Sequence, residues 1–111
     1  MRIAEVYRNG EFAGKLIEHS TSNYDFIYDD TWFADETKPA ISLTIPKTQK
    51  KHHSTYLFPF FFNMLSEGVN KKLQCRQLKI DERDNFGLLI ATATLDTIGA
   101  ITVKSILKDK E

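Results

Sequence analysis

A dense run of phenylalanines near the middle of the chain limits the folds open to this sequence. Six large apolar residues stand close together there: Phe58, Phe60, Phe61, Phe62, Met64 and Leu65. Burial of one aromatic side chain removes on the order of 150–250 Å² of surface from water, so such a run cannot stay solvated in a soluble chain. The run therefore predicts that these rings pack against the rest of the domain or against a partner.

The residues around the run predict a short helix from about Pro59 to Ser66. Proline at the first helical position loses no hydrogen bond, and a turn at Glu67 and Gly68 suits the helix end. Spacings of three and four place four side chains on the inner face: Phe58, Phe61, Phe62 and Leu65. Phe60 and Met64 point elsewhere, where they either fill the core or help to contact a partner chain.

Length and net charge indicate a single domain and argue against nucleic-acid binding and membrane anchoring. A chain of 111 residues predicts a single domain over residues 1–111, with a frayed tail at 105–111. Fifteen basic and fifteen acidic residues give a formal net charge of zero, which argues against nucleic-acid binding and against a polybasic membrane anchor. The sequence has no spanning-length apolar run and no apolar signal core, and its single Cys75 cannot form an internal disulfide. These features predict a cytoplasmic protein.

The N-terminal segments 2–8 and 11–17 predict a β-hairpin around Asn9–Gly10, a dipeptide that favours the two-residue type I′ turn. The turn sets three cross-strand pairs: Arg8 with Glu11, Tyr7 with Phe12, and Ile3 with Leu16. The apolar members of these pairs then share one face of the hairpin.

A third strand is predicted by the alternating aromatics Tyr24, Phe26 and Tyr28. Asp29, Asp30 and Thr31 can cap a short helical turn that carries Trp32 and Phe33. Residues 25–36 contain five acids and no base, which indicates either a solvated acidic edge or a docking surface for a basic partner.

The next segments predict a strand and then a loop. Ile41, Leu43 and Ile45 alternate with polar residues, which predicts a short strand over 41–45. Residues 47–56 are polar and basic without periodicity, so we expect an exposed loop. His52 and His53 are adjacent and have no second ligand pair nearby, which favours solvated loop histidines over a metal site.

The C-terminal half predicts two helices and a last strand. Residues 69–79 form a basic helix whose inner side carries Val69, Leu73 and Ile80; its lysines and arginine face either solvent or an acidic partner. Asp81 or Asp84 caps a second helix, which packs through four residues: Phe86, Leu89, Ile90 and Ala93. Asp96–Thr97 predicts a turn, and residues 101–106 predict the strand.

Taken together, these elements predict a small α+β domain, with an N-terminal β-hairpin, further antiparallel strands and about three helices packed on the sheet. The sequence shows no phosphate-binding glycine loop and no paired acids in a general acid/base spacing. Cys75 lies in a basic helix without a neighbouring histidine, which favours a structural thiol. We therefore expect no catalytic, cofactor-binding or metal-binding residues, and a binding or regulatory module rather than an enzyme.

Five segments, in order, resemble the N-terminal subdomain of HipA-type toxin kinases: VYRNGEFAGKL at 6–16, FIYDDTWFAD at 26–35, ISLTIP at 41–46, PFFFNMLSEG at 59–68 and DNFGLLIATATLDTIGAI at 84–101. The most specific parts are the FF-x-N-x-L-x-EG core at 61–68 and the D-x-FGLL element at 84–89. Ser66 stands where the family usually has proline. The chain lacks the ATP-binding loop and catalytic aspartate of the kinase core.

The resemblance implies a role without catalysis. The family has a split form, in which this subdomain is a separate small protein, and the chain resembles that form, the HipS-type antitoxin of HipBST systems. It would bind and neutralise a HipT-like Ser/Thr toxin kinase, in a complex that also holds a DNA-binding HipB-like protein. An alternative is a scaffold that links kinase and repressor without inhibition. A third reading, nucleic-acid binding through residues 47–53 and 71–79, conflicts with the neutral charge.

A subdomain separated from a kinase keeps the surface that packed on the kinase core, with apolar anchors at its centre and charges on its rim. Our candidate contact residues are Asp29, Asp30, Trp32, Phe33, Phe60, Met64, Lys50 and Lys51.

Overall fold

A five-stranded antiparallel sheet, in the order β4-β3-β2-β1-β5, forms the frame of the domain. The computed structural model describes residues 1–65, 68–92 and 101–105. Its elements are β1 (Arg2–Arg8), β2 (Glu11–Ser20), β3 (Asn23–Tyr28), α1 (Asp30–Ala34), β4 (Lys51–Ser54), α2 (Pro59–Phe62), α3 (Gly68–Leu78), α4 (Asn85–Thr92) and β5 (Ile101–Ser105). The predicted α+β class is confirmed, with four helices in these ranges. None of these helices is long and apolar enough to cross a membrane.

The N-terminal hairpin has the predicted turn but only part of the predicted register. Asn9–Gly10 takes positive φ angles of 53° and 81°, as a type I′ turn requires, and the two pairs next to the turn are those predicted. A bulge beside Val6 then places one extra residue in β2. Ile3 consequently pairs with Ile17, and the predicted pairing of Ile3 with Leu16 is wrong.

The bulge also divides the hairpin side chains between two faces. The inner face, on which the core is built, carries these buried residues of the three central strands: Ala4, Val6, Leu16, Tyr24, Phe26 and Tyr28. Tyr7 and Phe12 pair on the outer face, with ring centroids 5.6 Å apart. A single face shared by Tyr7, Phe12, Ile3 and Leu16 is therefore not formed, because the extra residue reverses the alternation between the two pairs.

Residues 41–45 form a tight turn and not the predicted strand. Ser42 and Ile45 make one isolated bridge, and the Ser42 hydroxyl accepts the backbone N–H of Thr44 at 3.2 Å. Serine side chains compete in this way with the backbone pairing of strands. Ile41 and Ile45 are buried, but Leu43 between them is 98% exposed.

The predicted loop over 47–56 contains the edge strand β4, which pairs with β3. An edge strand needs no alternating apolar pattern of its own, and basic side chains are common at such positions. His52 faces the core and donates from Nε2 to the carbonyl oxygen of Pro46 at 2.8 Å, while His53 faces outward. The prediction that both are solvated loop histidines is therefore wrong.

The aromatic helix is shorter than predicted. It ends at Phe62, and Ser66 and Glu67 lie outside the described residues. Gly68 begins α3 and does not close α2. Phe58, Phe61 and Leu65 are buried as expected, but Phe62 is 43% exposed, because a single helical turn followed by irregular backbone does not keep the spacing of a long helix.

The basic helix α3 packs through a different side from the one predicted. Cys75 is its buried residue, whereas Leu73, assigned to the inner side, is 47% exposed. Leu73 lies two residues from Cys75 and so points to the opposite side of the helix. Ile80 is half-buried, and the side chain of Val69 lies outside the described residues.

The helix α4 and the strand β5 follow the prediction. Asp84 caps α4, since its Oδ1 accepts the backbone N–H of Gly87 at 3.0 Å. Phe86 and Leu89 are fully buried, and β5 pairs with β1. The predicted positions of Ala93 and of the turn at Asp96–Thr97, like most of the tail, lie outside the described residues.

Candidate partner-binding surface

A row of aromatic rings under the sheet connects the candidate residues of α1 with those of α2. Neighbouring ring centroids along this row lie 6.3 Å apart for Phe33 and Tyr28, 4.9 Å for Tyr28 and Phe26, 6.0 Å for Phe26 and Phe61, and 5.2 Å for Phe61 and Phe60. These separations are typical of edge-to-face and tilted aromatic packing. The half-buried rings of Phe33 and Phe60 thus stand at the two ends of one rigid row.

Three of the four charged candidates, Asp29, Asp30 and Lys50, lie at the corner between α1 and β4. Asp29 is the N-cap of α1 and accepts the backbone N–H of Thr31 at 3.1 Å. Asp30 is exposed and forms an ion pair with Lys50. Three of the five acids in residues 25–36 thus have partners within the fold: Asp29 caps α1, Asp30 pairs with Lys50, and Asp25 pairs with histidines on the sheet.

Trp32 is 3% exposed and lies in the core. Its indole Nε1 donates to the carbonyl oxygen of Pro39 at 2.9 Å, and Lys38 Nζ lies 5.5 Å from the ring centroid. In the described structure Trp32 therefore supports the segment that follows α1, and its ring offers almost no surface to a partner.

Phe60 and Met64 are half-buried and pack on the edge of the core, so each keeps part of its surface in solvent. Next to them Phe62, which sequence reasoning assigned to the core, is an exposed ring. Lys71 Nζ lies 5.9 Å from the centroid of this ring and donates to Asn85 Oδ1 at 3.1 Å. Lys71 thus links α2, α3 and α4 at the surface.

Sequence reasoning missed several exposed apolar side chains. Those in the described residues, besides Phe62 and the N-terminal methionine, are Leu43, Tyr56, Leu73 and Leu78. Their exposure has no local sequence signal, since Leu43 and Leu73 both stand in patterns that elsewhere mark a core face. It arises from the tertiary packing of the neighbouring residues.

A second polar cluster lies on the outer face of the sheet around Asp25. His53 Nδ1 is 2.9 Å from one carboxylate oxygen, His19 Nε2 is 2.8 Å from the other, and Lys51 Nζ is 3.8 Å away. Burial by itself would raise the pKa of Asp25, but the hydrogen bonds from His53 and His19 and the charge of Lys51 hold this pKa below its ordinary value. The candidate Lys51 thus helps to hold the edge strand β4 to β3.

A third cluster joins the N-terminus to α4. Arg2 donates to both carboxylate oxygens of Asp84, at 3.0 and 2.7 Å, and to Glu18 at 2.8 Å. Tyr24 donates its hydroxyl to the same Glu18 at 3.0 Å. Burial, followed by this bond, raises the pKa of Tyr24 to about 12. The bonds from Arg2 lower the pKa of Asp84.

The cluster around Asp25 and the cluster around Arg2 both stabilise the fold. Both pair acids with bases across neighbouring elements, and their carboxylates already accept hydrogen bonds. In the described part of the chain, no group of three or more histidine, cysteine or acidic residues is arranged to hold a metal ion. The surface features that remain in the described residues are half-buried aromatic rings, isolated exposed apolar side chains and surface ion pairs.

Comparisons with known proteins agree with this architecture. The family described as HipA N-terminal domain matches residues 4–104. An uncharacterized protein of Haemophilus influenzae is 30% identical over 104 residues, which cover 94% of this chain and 92% of that protein. The putative kinase Y4mE of Sinorhizobium fredii is 24% identical over 89 residues, which cover 80% of this chain but only 21% of the kinase.

A solved structure, the N-terminal domain of HipA toxin, superposes with a TM-score of 0.72 at 29% sequence identity. The match covers 98% of this chain and 96% of that one. The family match over nearly the whole sequence and the shared fold lead to one conclusion: the chain belongs to the HipA N-terminal domain family.

Proposed function

We propose that this chain is an antitoxin that binds a HipA-family Ser/Thr toxin kinase and keeps it inactive. One observation carries the proposal. The matched region is 21% of the putative kinase Y4mE but 92% of the Haemophilus protein. A domain of this kind therefore occurs as one part of a longer putative kinase and as nearly the whole of a small protein.

The physical argument concerns the surface that such a domain presents. Within a longer kinase chain, the domain would pack on the remaining domains through a complementary surface. A domain on a separate chain can use the equivalent surface to bind a kinase in trans, provided that the interface is large enough to offset the lost rotational and translational freedom. Bound in this way, it would stabilise one state of the kinase at the expense of others.

The candidate contact residues supply both parts of such an interface. Phe33, Phe60 and Met64 expose the apolar edges of the core, and the exposed ring of Phe62 extends them. Asp30 and Lys50 form a charged pair at the rim, where charges affect the association rate more than the affinity. We propose no catalytic residue and no cofactor for this chain, because its described polar clusters are engaged in ion pairs within the fold.

The test is to co-express the chain with a HipA-family kinase that lacks an N-terminal domain of this kind, and to measure co-purification, kinase toxicity and autophosphorylation. Co-purification with loss of toxicity is the result expected of an antitoxin. Co-purification with full kinase activity would instead favour a scaffold that joins the kinase to a DNA-binding repressor. Absence of any association would refute both roles.

A variant that unfolds would also fail to bind, so the choice of variants matters. Trp32→Ala is unsuitable because Trp32 is buried in the core and its loss would affect folding. Phe62→Ala is suitable, since Phe62 is 43% exposed and its truncation should leave the fold intact. If Phe62 lies in the interface, Phe62→Ala weakens kinase binding at unchanged thermal stability.

A further inference from the structure

The segment over residues 35–47, here called the 35–47 loop, runs from the end of α1 to the region before β4 without a helix or a regular strand. Side chains of the domain nevertheless hold its backbone. Trp32 donates to the carbonyl oxygen of Pro39, and Lys47 Nζ donates to the carbonyl oxygens of Asp35 and Lys38 at 2.8 and 2.7 Å. The first half of the loop is thus fixed at three carbonyl groups.

The second half of the loop is fixed by a buried hydroxyl. Tyr28, which is 1% exposed, accepts the backbone N–H of Ile41 at 3.1 Å and donates to the carbonyl oxygen of Ile45. One oxygen atom therefore holds both ends of the 41–45 turn. Beyond the turn, His52 binds the carbonyl oxygen of Pro46.

This framework presents Leu43 to solvent at the tip of the turn. Leu43 is 98% exposed, while Ile41 and Ile45 on either side are buried. A single exposed leucine is ordinary on a protein surface. A leucine that stands fully exposed on a turn whose two ends are held by one buried side chain is different, because its position is fixed before any partner binds.

The chemistry around the tip indicates what it can contact. Residues 39–46, PAISLTIP, contain no charged residue, in a sequence of which 27% is charged. A neutral tip with one apolar side chain gains nothing from a charged surface or from nucleic acid, but it fits an apolar recess. Since the loop is already ordered, insertion would require little further loss of conformational entropy.

We propose that Leu43 is an apolar anchor that inserts into an apolar recess on the HipA-family kinase. The inference rests on the proposed function and adds to it the residue that makes the central contact. The kinase is the occupant because a domain of this family also forms part of a longer relative, the putative kinase Y4mE. Tyr28, Trp32 and Lys47 are then positioning residues for Leu43.

The experiment measures, by surface plasmon resonance, the affinity of the purified HipA-family kinase used in the co-expression test for the wild type, Leu43→Ala and Leu73→Ala, with thermal melts of all three proteins. Leu73 is the matched control, since it is an exposed leucine on α3. We expect Leu43→Ala to bind at least about tenfold more weakly, because full burial of a leucine side chain contributes that much or more to binding. The loss should appear mainly as faster dissociation.

The binding results for the three proteins test the role of Leu43 separately from the proposed antitoxin function. Wild-type binding, with weaker binding by Leu43→Ala alone and unchanged melting, supports the anchor. Equal affinity of Leu43→Ala and wild type overturns the anchor and leaves the proposed function standing. Equal weakening by Leu73→Ala also overturns it, because the effect would then be general to exposed leucines. If the wild type does not bind the kinase, the proposed function fails and the anchor fails with it.

Discussion

Tyr28 shows how one side chain can serve the core and the surface together. Its ring packs edge-on against Phe26 on the inner face of the sheet, and its hydroxyl reaches both ends of the 41–45 turn. Burial raises the pKa of this hydroxyl, so at neutral pH it is the protonated form that donates to Ile45. The exposed position of Leu43 therefore depends on a residue of the central sheet.

Tyr28→Phe tests this dependence. The change removes one oxygen and leaves the N–H of Ile41 and the carbonyl of Ile45 without their buried partner. Unsatisfied buried groups cost about 1–3 kcal/mol, so we expect a loss of that size in the free energy of unfolding, measured by urea denaturation. Tyr56→Phe is the control, since Tyr56 is 64% exposed and its hydroxyl should contribute less than about 0.5 kcal/mol.

Equal stability of Tyr28→Phe and wild type would mean that water or a rearranged loop replaces the hydroxyl. In that case the 41–45 turn would not be fixed by Tyr28. If the hydrogen bonds do hold the turn, Tyr28→Phe should also bind the kinase more weakly than its stability alone explains, because Leu43 loses its fixed position.

At the level of elements, the strand β2 owes its packing to a glycine that follows the bulge. Gly14 pairs with both Val6 and Tyr28. A Cβ atom at this position would lie 2.5 Å from the carbonyl oxygen of Ile27 and 2.8 Å from the ring of Phe26. The absence of a side chain at Gly14 therefore lets β3 and the ring of Phe26 pack closely against β2.

Gly14→Ala should accordingly destabilise the domain by about 1–3 kcal/mol or more, as overpacking of a tight core does. The measurement is again the free energy of unfolding in urea. Gly10→Ala gives the contrast: its Cβ would meet nothing within 4 Å, but its φ of +81° strains an alanine, at a cost of about 1 kcal/mol. An equal or smaller loss for Gly14→Ala would show that the backbone of β3 and the ring of Phe26 can both shift easily.

Elements with local signals could be predicted from the sequence, and those set by distant partners could not. The turn at Asn9–Gly10 and the cap at Asp84 are encoded by the residues themselves. The strand β4 has no apolar pattern and exists because β3 offers it a free edge. The position of Leu43 depends on the hydroxyl of Tyr28, which donates and accepts across the fold.

For the candidate contact residues too, local sequence signals were not enough, because exposure depends on tertiary packing. Residue chemistry alone selected Trp32 as an anchor, since large aromatics are frequent at the centres of interfaces. The structure buries Trp32 and exposes Leu43 and Phe62. Exposure is a property of the assembled core, and a single sequence with alternating apolar residues cannot distinguish Leu43 from its buried neighbours.

For the whole molecule, two carboxylates connect elements that are far apart in the chain. Asp84 binds Arg2 across 82 positions and so fastens α4 to the first strand. Asp25 fastens β4 and the end of β2 to β3. The pKa of each of these carboxyl groups lies below its ordinary value, so the folded protein binds fewer protons than the unfolded chain in acid.

The lowered pKa values of Asp25 and Asp84 make the free energy of unfolding fall in acid. A carboxylate whose folded pKa is lowered stabilises the fold above the ordinary aspartate pKa of about 3.9, and this stabilisation is lost as pH falls through the lower, folded pKa.

Asp84→Asn isolates one such group, because asparagine is also a good N-cap but carries no charge for Arg2. We expect it to lower the free energy of unfolding at pH 7 by on the order of 1 kcal/mol, as partly exposed ion pairs do. Urea denaturation from pH 7 to pH 2 should show the difference from wild type shrinking below about pH 4. Asp30→Asn, which removes an exposed ion pair with Lys50, should change stability less at pH 7. A difference for Asp84→Asn that stays constant down to pH 2 would show that the charge of Asp84 does not fasten α4 to the first strand.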